Sequence, residues 1–134
     1  MDNTTVKLII AGGRDFDNYP LLRSSVFQYL TEKGISIDQL EIVLGCAPGA
    51  DEQGEAFADE YYIPRALFPA NWALHGNAAG PIRNAAMAAR STHCIVFWDG
   101  KSKGSRNMIR NARLHGLDLK IVMYGAESVK KNNR

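Results

Sequence analysis

The chain has 134 residues, 46% hydrophobic and 22% charged, proportions of a folded domain whose core needs no disulfide or metal to hold it. Its formal net charge of +2 arises at the carboxyl end: without Lys130, Lys131 and Arg134, 13 basic residues face 14 acidic ones, which excludes a polyanion-binding field spread over the whole surface. The two cysteines, Cys46 and Cys94, form no Cys-x-x-Cys pair and have no histidine pair nearby, so a zinc site is excluded and both read as reduced structural thiols.

The first residues, Met1-Asp2-Asn3-Thr4-Thr5, carry no basic lead, and the apolar run that follows is too short to cross a membrane. A cytoplasmic chain without membrane attachment is expected. Val6 to Ala11 is the first predicted strand; it runs into Gly12-Gly13-Arg14-Asp15, and Leu22, Val26, Tyr29 and Leu30 then recur at helical spacing until Gly34. Glu41 to Leu44 repeats the pattern, opening into Gly45-Cys46-Ala47-Pro48-Gly49-Ala50-Asp51 before a helix marked by Phe57, Ala58 and Tyr61. Arg65 to Phe68 is a third strand. Beyond Pro69-Ala70-Asn71-Trp72, Pro81 suits a helix's first turn, with Ile82, Ala85, Ala86 and Ala89 as that helix's stripe.

Thr92 to Trp98 is almost continuously apolar and predicts a central strand. Asp99-Gly100-Lys101-Ser102-Lys103-Gly104-Ser105 follows, then a helix carrying Met108, Ile109 and Ala112, closed by Gly116. Leu119 to Tyr124 completes a count of five strands and four main helices. Short apolar runs alternating with helices predict an α/β fold: one Rossmann-like three-layer domain over residues 1–125, with a mainly parallel five-stranded sheet and a polar basic tail over 126–134.

In such a sheet the strand-to-helix junctions open on one edge, the place for a ligand. Glycine lets backbone approach a phosphate closely, and the free N–H groups and dipole of the next helix favour an anion. Arg14 reads as a phosphate clamp with Asp15 on ribose hydroxyls, or as an Arg-Asp pair fixing its loop. The segment from Gly45 through Gly49 to Asp51 lacks the Lys-Ser/Thr ending of a P-loop; Asp51 reads as a helix cap, or with Glu52, Glu55, Asp59 and Glu60 as part of a solvated face. Lys101, Ser102, Lys103, Gly104 and Ser105 join cations, hydroxyls and glycine just before a helix, the best phosphate segment in the chain. Arg106, Arg110 and Arg113 are helically spaced and read as a wet face. Trp72 and Trp98 stand where strands end, to stack on a base or to seal the sheet. Only His75, of three histidines, falls in a site loop, and no His/Asp/Ser triad can be assembled. Cys46 reads as a small residue in a tight loop rather than a nucleophile.

Taken in order, Ala11-Gly12-Gly13-Arg14-Asp15-Phe16, Gly45-Cys46-Ala47-Pro48-Gly49-Ala50-Asp51, Phe68-Pro69-Ala70-Asn71-Trp72, Ala79-Gly80-Pro81-Ile82-Arg83-Asn84 and the stretch from Phe97 to Ser105 resemble the motifs of the YspA-like, cpYpsA-related branch of the SLOG superfamily, across about residues 6 to 123. The resemblance implies a Rossmann-type sheet and a nucleotide-type ligand, since relatives include nucleoside monophosphate phosphoribohydrolases and sensors of nucleotide signals. By motif matching it gives Gly12, Gly13, Arg14 and Asp15 the first-loop role, Gly49 and Asp51 the second, Arg83 and Asn84 the start of a helix, and Gly104 and Ser105 the phosphate turn. It also implies a homo-oligomer. The phosphoribohydrolases carry Pro-Gly-Gly-x-Gly-Thr-x-x-Glu, and here the glutamate position holds Met108. Methionine can neither stabilise an oxocarbenium-like centre nor activate water, which leaves Asp15, Asp51 and Asp99 as the possible carboxylates.

The leading expectation is therefore a domain that senses or sequesters a nucleotide-derived small molecule, with no cofactor and no metal. A phosphoribohydrolase-like enzyme cleaving an N-glycosidic bond is the alternative, and a DNA-processing accessory or interaction module the third. Nucleic acid is not an expected partner, because the basic last helix lacks the interleaved aromatics of a single-strand platform.

Overall fold

The computed structural model describes residues 4–131. Its central strand is β1 (Val6–Gly12). Leu8 and Ile10 point to one face, Ile9 and Ala11 to the other, and all four are buried; burial on both faces is why the run shows no polar phase. A helix α1 (Tyr19–Lys33) follows, capped by Asn18, whose side chain accepts the Leu21 N–H at 3.1 Å, and stopped by Gly34 in the left-handed conformation. The chain continues through β2 (Leu40–Leu44), α2 (Ala50–Glu60), β3 (Arg65–Leu67), the one-turn α3 (Trp72–His75), α4 (Ala79–Ala89), β4 (His93–Trp98), α5 (Lys103–Leu114) and β5 (Asp118–Met123).

The strands lie in the order β3-β2-β1-β4-β5, and every pairing is parallel. On one face α1 and α2 pack against Leu8, Ile10, Ile42, Leu44, Ile95 and Phe97. On the other, Met87 and Ala88 of α4 and Met108, Ile109 and Ala112 of α5 meet Ile9, Val43, Cys94 and Val96. The result is the expected three-layer α/β architecture. Among the described residues no helix is long and apolar enough to cross a membrane.

The chain leaves β1 towards β2 on one side and reaches β4 on the other, so the loops after β1 and β4 diverge. Their separation opens a crevice at the carboxyl ends of the two central strands, the switch point of a doubly wound sheet.

Three details differ from the sequence reading. The extra one-turn helix α3 forms where a loop is predicted, because the Asn71 side chain accepts the Leu74 N–H at 3.1 Å. The inward stripe of α4 runs through Asn84, Met87 and Ala88, whereas Ile82 is exposed; a buried asparagine breaks the apolar pattern that periodicity reads. The segment after β5 is tied down as far as Lys130: Ser128 is buried, its carbonyl accepts the Asp17 N–H at 2.7 Å, and the Lys130 N–H reaches the Asp15 carbonyl at 2.7 Å. Residues 132–134 of the predicted tail lie outside the described residues.

Candidate functional site

The loop after β1 is held from two sides. The Ala50 N–H, at the start of α2, donates to the Gly13 carbonyl at 3.1 Å, so the second glycine loop is latched to the first. Gly49 has φ +81°, and a Cβ there would collide with that same carbonyl, so only glycine allows the approach. From the far end of the chain the Tyr124 hydroxyl donates to Asp15 Oδ1 at 2.5 Å. This bond turns the Asp15 carboxylate towards Tyr124, and burial, with Asp15 next, pushes the tyrosine's pKa up.

Asp51 in the first turn of α2 is 6% exposed. Its Oδ2 accepts the Ala47 N–H at 3.0 Å, so the carboxylate braces the second loop; the capping of α2 falls to Gly49, whose N–H reaches Glu52 at 3.0 Å. Asp51 therefore leaves the solvated face assigned to it with Glu52, Glu55, Asp59 and Glu60, all four of which are exposed. Burial pushes its pKa up to about 6, with the Ala47 amide and the Arg83 charge opposing.

Arg83 is the hub of the opposite wall. Its guanidinium donates to the Gly45 carbonyl and, through Nε, to Asn84 Oδ1 at 2.8 Å. Asn84, itself buried, passes a hydrogen bond to Asn107 Oδ1 at 3.0 Å. Asn107 in turn accepts from Asn111 at 3.1 Å. Burial lowers the Arg83 pKa while Asp51 supports its charge. Arg14 lies over the ring of half-exposed Trp72, 5.6 Å from its centre.

The loop after β4 completes the enclosure. Asp99 Oδ1 accepts the Lys101 and Ser102 N–H groups, both at 2.8 Å, and these amides, Ser102 first, hold its pKa below the usual value. Ser102 caps α5. Gly104 leaves open space where a Cβ would stand. Ser105 is 3% exposed, and its hydroxyl has no partner among the described residues.

These elements surround a cavity of about 550 Å³. Of the sequence candidates, Gly12, Gly13, Arg14, Asp15, Asp51, Trp72, Arg83, Asn84, Ser102, Lys103, Gly104 and Ser105 line it, as does Asp99. Gly45 and Gly49 do not; they support it from behind, one through its carbonyl and one through its fold. Lys101 is exposed and also off the wall. Trp98 faces away: its indole N–H is spent on the Ser102 carbonyl at 3.1 Å, and its ring borders a separate groove. His75 does not reach the cavity, but Asn77 after it does.

Asn77, Asn107 and Met87 are wall residues that sequence reading missed. Asn107 and Asn111 lie four apart on one helix, the only local signal that a polar network was being built there. Met108 is buried and lines the wall, so the site of the missing glutamate is a thioether floor without a carboxylate. Cys46 stands at φ +63° with its thiol pushed up by burial, then by Asp51 and Glu55, the reverse of what a nucleophile needs. Among the described residues no cluster of three or more histidines, cysteines and acids could hold a metal ion.

Residues 6–75 match the family model described as YAcAr, the YspA, cpYpsA-related SLOG family. The chain is 33% identical over 92 residues to the Gene 61 protein of Mycobacterium phage D29, a match covering 64% of this chain and 72% of that relative. No solved structure matches. With glycine loops after β1 and β2 facing one switch-point cavity, and with a family match over more than half its length, the chain belongs to the YspA, cpYpsA-related SLOG family.

Proposed function

We propose that this domain binds a nucleotide-derived small molecule in the switch-point cavity and holds it intact, as a sensor or sequestering protein. One observation carries the reading: Arg14, Arg83 and the amino-terminal turn of α5 converge on a single cavity in which the buried Ser105 hydroxyl has no partner. Cations, unspent helix amides and a donor hydroxyl together recognise a phosphate. Lys103 adds charge at the rim. Trp72, half-exposed with Arg14 already stacked on it, offers a ring for a base. Membership of the SLOG family is consistent with a nucleotide-related ligand.

Binding without turnover is favoured by what the carboxylates already do. Asp15 is engaged by Tyr124, Asp99 by two loop amides, and Met108 replaces the acid of the phosphoribohydrolase motif. A second reading rests on Asp51: a buried wall carboxylate whose pKa is pushed up to about 6 suits acid-base work on an N-glycosidic bond.

Native mass spectrometry with nucleoside monophosphates, NAD, ADP-ribose and cyclic nucleotides, followed by chromatography of each incubated ligand, separates the two. A ligand bound and recovered whole supports sequestration. Free base with ribose phosphate, lost in Asp51→Asn, establishes the hydrolase. Arg83→Ala should weaken binding at least about tenfold; unchanged affinity would remove the cavity from the proposal.

A further inference from the structure

A second depression of about 340 Å³ lies on the outer flank of α5, away from the cavity. Its floor is Trp98, Ile109 and Ile121, and its rim is Arg106, Arg110 and Arg113 with Leu114, which is 71% exposed. The three arginines recur at i, i+4 and i+7, one helix face about 10 Å long. No acidic residue occurs in α5, and among the described residues none of these arginines forms an ion pair. Among the described residues the Trp98 ring, 5.8 Å from Arg106, is the one group that engages any of them.

Beside this groove runs β5, a six-residue strand at the end of the sheet. Every second residue of a parallel strand turns its N–H and C=O away from its one neighbour, so β5 presents unpaired backbone groups along its outer side. Among the described residues, the segment after β5 crosses to the loop after β1 rather than covering them. A free edge and an apolar floor with a wholly basic rim thus lie side by side.

We propose that this flank docks an acidic, strand-forming segment of a partner protein, which adds to β5 and sets apolar side chains over Trp98 and Ile121 while its carboxylates meet Arg106, Arg110 and Arg113. Edge addition supplies affinity through backbone hydrogen bonds, and the pockets and charges beside it supply choice of partner. A second copy of this chain fits less well, since antiparallel pairing of two β5 strands brings six arginines together, and the one carboxylate of β5, Asp118, is engaged by Tyr29 and Lys33. The aliphatic floor and the backbone edge likewise suit a peptide better than a nucleic acid, which would use neither.

The probe is a fluorescein-labelled dodecapeptide of repeating Glu-Thr-Val-Thr, which puts glutamate and valine on the same face of a strand, beside a counterpart with lysine for glutamate, titrated against the whole chain by anisotropy. Saturable binding of the acidic peptide only is expected, weakened at least tenfold in the double variant Arg110→Glu, Arg113→Glu, with outward β5 amides protected from hydrogen exchange in the complex. The same variant should keep its melting temperature and any nucleotide binding in the cavity, so this docking site and the cavity fail or stand separately. No binding of the acidic peptide up to 1 mM, equal binding of both peptides, or equal binding by the double variant would overturn the proposal. Tighter arginine-dependent binding of a single-stranded oligonucleotide, or a dimer in sedimentation that the double variant alters, would overturn it in favour of nucleic acid or a second copy.

Discussion

Asp51 is buried beside Arg83, and because burial outweighs its hydrogen bonds its pKa rises from 3.8 to about 6 on folding. The folded state thus binds the Asp51 proton more tightly than the unfolded chain does. Its contribution to stability is full below about pH 4, declines as pH rises through about 6, and is gone above that. Asp51→Asn keeps an acceptor for the Ala47 N–H and removes the charge, so the variant should be more stable than the parent at pH 7.5 by up to about 3 kcal/mol, and the difference should vanish by pH 4. Melting curves of both proteins across that range check it; parallel curves would mean that Arg83 and the loop amides fully offset burial. Cys46 makes a second case. Held at φ +63° without being glycine, it carries left-handed strain, so Cys46→Gly should gain about 0.5–1 kcal/mol in urea unfolding, the released strain exceeding the extra freedom of the unfolded glycine. Neither property is legible in the sequence: Asp51 sits among four acids that are exposed, and Cys46 looks like any small loop residue.

The two glycine loops differ in what their glycines do, although in sequence they look alike. Gly49 is packed against the loop after β1, with a positive φ and no room for a Cβ. Gly49→Ala should therefore destabilise the fold by about 2 kcal/mol or more and loosen the Gly13 turn, measurable as faster exchange of the Ala50 amide. Gly104 has nothing near its missing Cβ and lies in the first turn of α5. Gly104→Asp should fold as well as the parent, since a carboxylate suits a helix amino terminus. The same charge would occupy the place proposed for the ligand's phosphate, so nucleotide affinity should fall at least about tenfold in calorimetric titration. Strand-loop-helix units were readable because strands buried on both faces are continuously apolar and glycine marks their exits. What escaped was contact between distant segments: Tyr124 on Asp15, Ser128 on Asp17 and Asn18, and Asn84 on Asn107. Each is a polar pairing with no periodicity to betray it.

At the scale of the molecule, one parallel sheet with helices on both faces makes the switch point a property of topology, and three loops far apart in sequence meet there because β1 and β4 are adjacent. That is why the cavity's location is legible from alternation alone, whereas its walls are not: Trp98 stands at the expected strand end, but the sequence leaves open whether it stacks on a ligand or seals the sheet, since periodicity cannot tell which neighbour claims an indole N–H. The shared cavity also couples binding to folding. The loops after β1 and β2 are latched to each other, and the first of them to the end of β4 and to the segment after β5, so a ligand that bridges these loops and the one after β4 would bind only the folded chain. At a hundred times its dissociation constant such a ligand adds about 2.7 kcal/mol. For a domain of this length that corresponds to a rise of roughly 10 °C in melting temperature, read in a single transition. A thermal shift across the nucleotide panel should find that rise for the true ligand. Arg83→Ala, binding at least about tenfold more weakly, should cut the rise to about half or less at the same ligand concentration. A rise undiminished in this variant would mean that the ligand is held elsewhere, and the convergence of Arg14, Arg83 and α5 would then serve the fold rather than recognition.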